Sequence, residues 1–293
     1  MPEGPVTLVS KGLELAGNLH LPEGLEPADR LPAVILLHGF GGTKDAPSYP
    51  LACRRLNDAG YAALRFDFRG CGESAGRPGY VILSEEVEDA VSAVSFLSGH
   101  PKVDPSRIGV LGSSLGAPVA ILAGVADRRI RAVISSNGIG SGRRFGRRLR
   151  AATPGAWEQY VRRIEEDRER RRLGGDSVYT SRFDIVPIPL ELRHQIAAMA
   201  SRMEFPLATA ESLVDLDVES VVDRLSPTPL LLLHSLTDSV VDAEESQALY
   251  DRAKEPKSLV LLEGADHFLF LDKPEEGLRV VLDWLSANLR RDL

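Results

Sequence analysis

The chain has 293 residues, 42 acidic against 35 basic side chains, a formal net charge of −7 and 43% hydrophobic residues. The acidic balance argues against nucleic acid as the main partner, and the apolar fraction suits a globular protein with a substantial core. Two cysteines, Cys53 and Cys71, are too few for a disulfide framework or a metal cluster and read as buried or idle thiols.

In chain order, the opening lacks an apolar run of signal-peptide length after a basic start, so a cytoplasmic protein is expected. No stretch approaches about 18 uninterrupted apolar residues, so no membrane span is expected. Residues 6–10 and 13–22 read as a hairpin-like pair at a sheet edge. The run PAVILLHGF (32–40) is apolar without alternation, as in a strand buried on both faces. Further strands are expected at 61–70, 107–113, 131–137, 229–235 and 258–264. Helical stretches lie between them: 49–60, closed by a glycine, and 85–99, where Val87, Val91, Val94 and Leu97 keep helical spacing. Strand–helix alternation with continuous apolar strands predicts an α/β fold built on a mostly parallel, eight-stranded sheet flanked by helices.

From Gly138 to about Val222 the buried-strand signal stops. Residues 143–172 hold eleven arginines against five acids. Trp157, Tyr160, Val161 and Ile164 form a helical stripe that ends at Arg168, predicting a helix docked by its first turns with a solvated far end. A second helix is expected over 192–203. The reading is a core of residues 1–137 and 223–293, with residues 138–222 as a helical lid inserted between strands 6 and 7. The interleaved acids make the arginines read as a solvated face, with attraction of an anionic substrate or an acidic partner left open.

The stretch GSSLG (112–116) fits G-x-S-x-G, a pattern common by chance, so its surroundings decide. Ser114 lies after a buried strand and before a helical segment, where a sharp turn exposes the central side chain and needs small neighbours. Gly112 and Gly116 supply them, and Ser113 is one position off. A serine hydroxyl needs a base, and the base an orienting acid. His267, in a glycine-containing loop after the last strand, is the expected base. His20, His38, His100, His194 and His234 fall in edge strands, another loop, before a proline, in the lid and at a strand end. For the acid, Asp238 sits at the apex of a loop between Ser114 and His267, while Asp242 is placed to cap the next helix and Asp67 to organise its own turn. The glycine-rich HGFGG (38–42) would bring the backbone N–H of Phe40, with that of Leu115, to an oxyanion, each such donor being worth about 3 kcal/mol of barrier.

With HGFGG, RFDFRGCGES, GSSLG, LLHSLTDSVV and GADHF assembled, the chain resembles the α/β-hydrolase superfamily over its whole length. Within it, the chain is similar to serine esterases such as bacterial cinnamoyl and feruloyl esterases and to acyl-peptidase-like hydrolases. Such proteins often carry His-Gly before the acid loop and Val-Pro after it, where this chain has His234-Ser235 and Val241-Asp242. The resemblance implies a serine hydrolase acting on a small or medium ester through Ser114, His267 and Asp238 and an acyl-enzyme. Cleavage of an amide or carbon–carbon bond by the same residues stays open, as does a binding protein on the same scaffold. Trp157, Tyr160, Phe183, Met199 and Phe205 are candidates for substrate contact. No metal spacing or nucleotide fingerprint appears, so no cofactor is expected. The oligomeric state is left open, a homodimer among the options.

Overall fold

A computed structural model of the protein describes residues 3–289. The first half runs β1 (Glu3–Ser10), β2 (Leu13–His20), β3 (Leu31–Leu37), α1 (Ser48–Asp58), β4 (Ala62–Phe66), α2 (Leu83–Ser98), β5 (Val103–Ser113), α3 (Gly116–Ala126) and β6 (Ile130–Ser136). An inserted stretch follows: α4 (Gly142–Arg148), α5 (Ala156–Arg172), β7 (Tyr179–Ser181), α6 (Arg182–Ile185), α7 (Leu190–Met199), β8 (Glu204–Pro206), α8 (Leu207–Val214) and a 3-10 turn at Val222–Leu225. The core resumes with β9 (Leu230–Ser235), α9 (Glu244–Arg252), β10 (Lys257–Leu262), α10 (Leu269–Asp272) and α11 (Pro274–Asn288).

Eight strands form one sheet in the order β1-β2-β4-β3-β5-β6-β9-β10. The β1–β2 and β2–β4 pairs are antiparallel, and every other pair is parallel. The central strands are apolar without alternation because both faces are covered. On β3, Ala33, Ile35 and Leu37 pack with Ala90, Val94 and Val119 of α2 and α3, while Val34 and Leu36 pack with Cys53, Leu56 and Val281 of α1 and α11. Burial pushes the thiols of Cys53 and Cys71 up to about 12, so both stay protonated. No helix among the described residues is long and apolar enough to cross a membrane.

The inserted stretch differs from the sequence reading in two ways. Strands β7 and β8 pair antiparallel as a separate ribbon, three residues each, too short to show alternation. The far end of α5 is also tied down: Arg168 pairs with Glu211 and Asp215, and Arg171 with Asp167 and Glu211, so the arginines hold α8 as well as facing solvent. At the start of the insertion Glu245 of α9 accepts the amides of Gly140 (2.8 Å) and Ser141 (3.0 Å) and two bonds from Arg144.

One buried acid works against the fold. Glu86, in the first turn of α2, is raised well above the usual carboxylate range by burial and then by Asp89, with Arg69 opposing. Its proton is kept in the folded state and lost from the unfolded chain above about pH 4.3, so this group costs stability increasingly as pH rises. Glu86→Gln is therefore expected to raise Tm at pH 8 and to change it little at pH 4, measured by thermal melts across that range. An equal shift at both pH values would refute the charge argument.

Candidate active site

The parallel strands end at one edge of the sheet. Leu37 pairs with Gly112, Ser113 with Ser136 and Ser235 with Leu262, so the loops after β3, β5, β6, β9 and β10 emerge together. Ser114 stands between β5 and α3 with φ 54°, a left-handed conformation rare for a residue with a side chain. Its amide donates to Ser136 O (2.9 Å), and its carbonyl accepts from Ala117 N (3.0 Å), which fixes the turn. Glycine is needed on both sides: a Cβ on Gly112 would lie 2.0 Å from Gly116 O, and one on Gly116 would lie 2.4 Å from Leu37 O.

Ser114, His267 and Asp238 come together. His267 Nε2 lies 3.0 Å from Ser114 Oγ, and its Nδ1 lies 2.8 Å and 3.1 Å from the two Asp238 oxygens. Because a carboxylate only accepts, Nδ1 carries the proton and donates it, leaving Nε2 to accept the serine hydroxyl. Asp238 Oδ1 also takes the amides of Val240 and Val241, both at 2.8 Å. Burial alone would raise this carboxyl. The facing ring of His267, the neighbouring His234 (3.6 Å) and the Val241 amide together hold it well below the usual range. It is therefore ionised at neutral pH.

Sequence reasoning missed Asn137, at the end of β6. Its Nδ2 donates to Asp238 Oδ2 (2.8 Å) and to His267 O (3.1 Å), and its Oδ1 accepts Ser235 N (3.2 Å). It too has positive φ, 49°. The available signal was an Asn-Gly pair directly after a buried strand, since Asn tolerates that region better than most residues.

The other candidates separate cleanly. His234 is buried, bonded to Ser246 Oγ (2.6 Å) and Val241 O (2.9 Å). His38 Nε2 accepts Phe68 N (3.1 Å), so its Nδ1–H donates to Gly39 O (2.9 Å), and burial lowers its pKa. Asp67 accepts the amide of Glu73 (3.0 Å) in its own turn and that of Lys44 (2.6 Å) from the loop after β3, so it ties the two loops together. Asp242 accepts the amide of Glu244 at the start of α9 (2.8 Å) and pairs with Arg148. Where the resemblance would put glycine, Ser235 uses its hydroxyl to reach Ala265 O.

Phe40 and Leu115 are both buried, and among the described residues neither backbone N–H is used in a hydrogen bond within the chain. Gly39 brings the first loop against the serine: a Cβ there would stand 3.1 Å from Ser114 Cβ. Gly39, Phe40 and Ser114 border a cavity with about 920 Å³ of atom-free space, open mouth included. Its wall includes Ser114, His267, Phe40, Tyr49 and Phe268, with Phe183 and Met199 from the insertion.

Three expected substrate contacts lie elsewhere. Trp157 covers Gly146 and is approached by Arg147 (5.6 Å), Tyr160 lies beneath the Arg150 guanidinium (3.4 Å), and Phe205 packs on the Phe40 ring (4.6 Å) behind the loop. Each is a core side chain joining elements of the insertion or bracing the Phe40 loop, because the stripe on α5 faces α4 and α8 instead of the cavity.

A family model described as the alpha/beta hydrolase family matches residues 34–279. The polyketide transferase ATR5 of Stachybotrys chlorohalonatus is 30% identical over 299 residues, spanning 95% of either chain. Among solved structures, the alpha/beta hydrolase GrgF from Penicillium sp. sh18 superposes with a TM-score of 0.82 over 99% of both chains at 22% identity. Est1E from Butyrivibrio proteoclasticus, solved with bound ferulic acid, superposes with a TM-score of 0.68 over 96% of both chains at 21% identity.

Proposed function

The chain belongs to the alpha/beta hydrolase family, and from that premise we propose that it cleaves a carboxylic ester of a small or medium substrate through Ser114, His267 and Asp238. The observation that carries this reading is the continuous line from Asp238 through His267 to Ser114, at 2.8 Å and 3.0 Å, beside a cavity. Ser114 Oγ attacks the acyl carbonyl while His267 Nε2 takes its proton, and ionised Asp238 stabilises the resulting imidazolium. The oxyanion accepts from the amides of Phe40 and Leu115. Collapse expels the alcohol, protonated by His267, and leaves Ser114 acylated; water then attacks with His267 again as base. Residues 138–222, which supply Phe183 and Met199, act as the lid over the acyl group.

A second reading is acyl transfer, favoured by the name of ATR5. The acyl-enzyme would be the same, with an alcohol replacing water in the second step. Both are tested with p-nitrophenyl esters from acetate to decanoate and methyl ferulate, with and without an alcohol acceptor, beside a fluorophosphonate label located by mass spectrometry. Turnover with an optimum chain length and a label on Ser114 are expected. A folded protein that neither turns over an ester nor takes the label would overturn the proposal, and product partitioning to the acceptor would favour transfer.

Asn137 acts as a positioning residue for Asp238. Hydrogen bonds to charged groups are worth about 1.5–3 kcal/mol, so Asn137→Ala should lower kcat about ten- to hundredfold with KM nearly unchanged. Asn137→Gly, which keeps the backbone free at positive φ, separates the two roles: kcat should fall as far while Tm recovers. Full activity in Asn137→Gly would show that the amide bonds do nothing for Asp238.

A further inference from the structure

Four arginine side chains are buried among the described residues: Arg65, Arg69, Arg150 and Arg182. Arg65 pairs with Glu3 and Asp45, and Arg69 with Asp89 and Glu88. Arg150 lacks an acid but donates to the carbonyls of Gly146, Asp184 and Ile185. Arg182 differs from all three. Its NH2 donates to Phe40 O, its NH1 has no acceptor, and no carboxylate lies within ion-pair distance of it among the described residues. The rings of Phe40 and Phe205, at 4.6 Å and 5.8 Å, offset part of the cost of burying it.

Arg182 is also one of the residues that line the cavity holding Ser114 and His267. Among the lining residues it is the one Lys or Arg, and no Asp or Glu lines the wall. Asp238, behind His267, is already satisfied by that ring, two amides and Asn137. The loop lies directly on Arg182: a Cβ on Gly41 would stand 3.0 Å from NH1. A buried, unneutralised cation in an otherwise uncharged cavity favours an anion there, and the planar fork of Arg suits a carboxylate. Burial lowers Arg182 to about 10, which leaves it charged at neutral pH.

We propose that the cavity takes a substrate bearing a carboxylate apart from the scissile bond, with Arg182 as the residue that recognises it. This rests on the ester-cleaving reading of the same site. It makes the insertion the source of substrate charge selectivity, since Arg182 opens α6.

The test compares charged and uncharged substrate pairs. On the acyl side these are p-nitrophenyl monoesters of succinate, glutarate and adipate against the butyrate, pentanoate and hexanoate esters. On the alcohol side, 4-acetoxybenzoate is set against phenyl acetate. In one arm the carboxylate should raise kcat/KM about ten- to hundredfold. Arg182→Gln should remove that ratio, and Arg182→Lys should keep part of it. Because Arg182 also holds Phe40, both variants will lose rate on every substrate, and the ratio is the informative quantity. Ratios at or below one in both arms of the unsubstituted protein, or a ratio that survives Arg182→Gln, would overturn the proposal.

Loss of the ester-cleaving reading itself is distinguished by a second measurement that needs no turnover. Adipate should raise Tm where adipamide does not, and Arg182→Gln should abolish the rise. With no ester cleaved, a rise of that kind upholds the anion site alone, and its absence overturns it.

Discussion

Ser114→Ala is expected to leave a folded protein whose kcat on any ester it turns over is lower by about 10⁴- to 10⁶-fold. The loss is large because, in the proposed reaction, the hydroxyl is the group that becomes acylated; His267 and the amides of Phe40 and Leu115 would serve its attack and cannot replace it. The substitution leaves the φ of 54° and the two backbone bonds of the turn unchanged, so Tm should move little. Ser114→Gly extends the argument. Glycine adopts this backbone without strain, so that variant should be equally inactive yet more stable by up to about 1 kcal/mol. Ester turnover that survives in either variant at more than a hundredth of the original rate would sink the assignment of Ser114.

Gly116→Ala is expected to cost about 3 kcal/mol and most of the activity together. The added Cβ would stand 2.4 Å from Leu37 O, 2.8 Å from Leu37 C and 2.7 Å from His38 O. These are backbone atoms at the end of β3 and cannot rotate aside. Relief requires α3 to move from the sheet or the Phe40 loop to move from Ser114, and each spoils the site. Gly155→Ala is the control: its φ is 77°, but a Cβ there meets nothing within 4 Å, so it should cost only about 1 kcal/mol and no activity. Urea melts and ester kinetics on the two variants decide it; equal stability losses would show that crowding at Gly116 is unimportant.

What was legible in the sequence was whatever the backbone itself constrains. A strand covered on both faces must be apolar at every position, so β3, β4, β5, β6 and β9 stood out, and the loops after them carried Phe40, Ser114 and Asp238 to the same edge. The flanking glycines announced Ser114 because no other residue fits between two backbones at that approach. Arg182 was illegible for the opposite reason: a lone arginine in a stretch without a buried-strand signal reads as solvated, and only the fold of β7, β8 and α6 beneath the Phe40 loop buries it. Asn137 was illegible because a neutral amide after a strand carries no mark of the acid that it will hold. Phe183 and Met199 could not be told from Trp157 and Tyr160, since helical spacing says which residues share a face but not what that face meets.

The division of the cavity wall has an evolutionary consequence. Arg182, Phe183, Val186, Ile188, Ile196 and Met199 come from one continuous stretch between β6 and β9, while Ser114, Asp238 and His267 sit in the loops that follow β5, β9 and β10. A lineage could therefore exchange residues 182–199 and reshape the cavity wall while inheriting Ser114, Asp238 and His267 unaltered. A graft of the whole insertion from another such protein should be spliced after α4, with Glu245 and its bonds to Gly140, Ser141 and Arg144 kept as the seam.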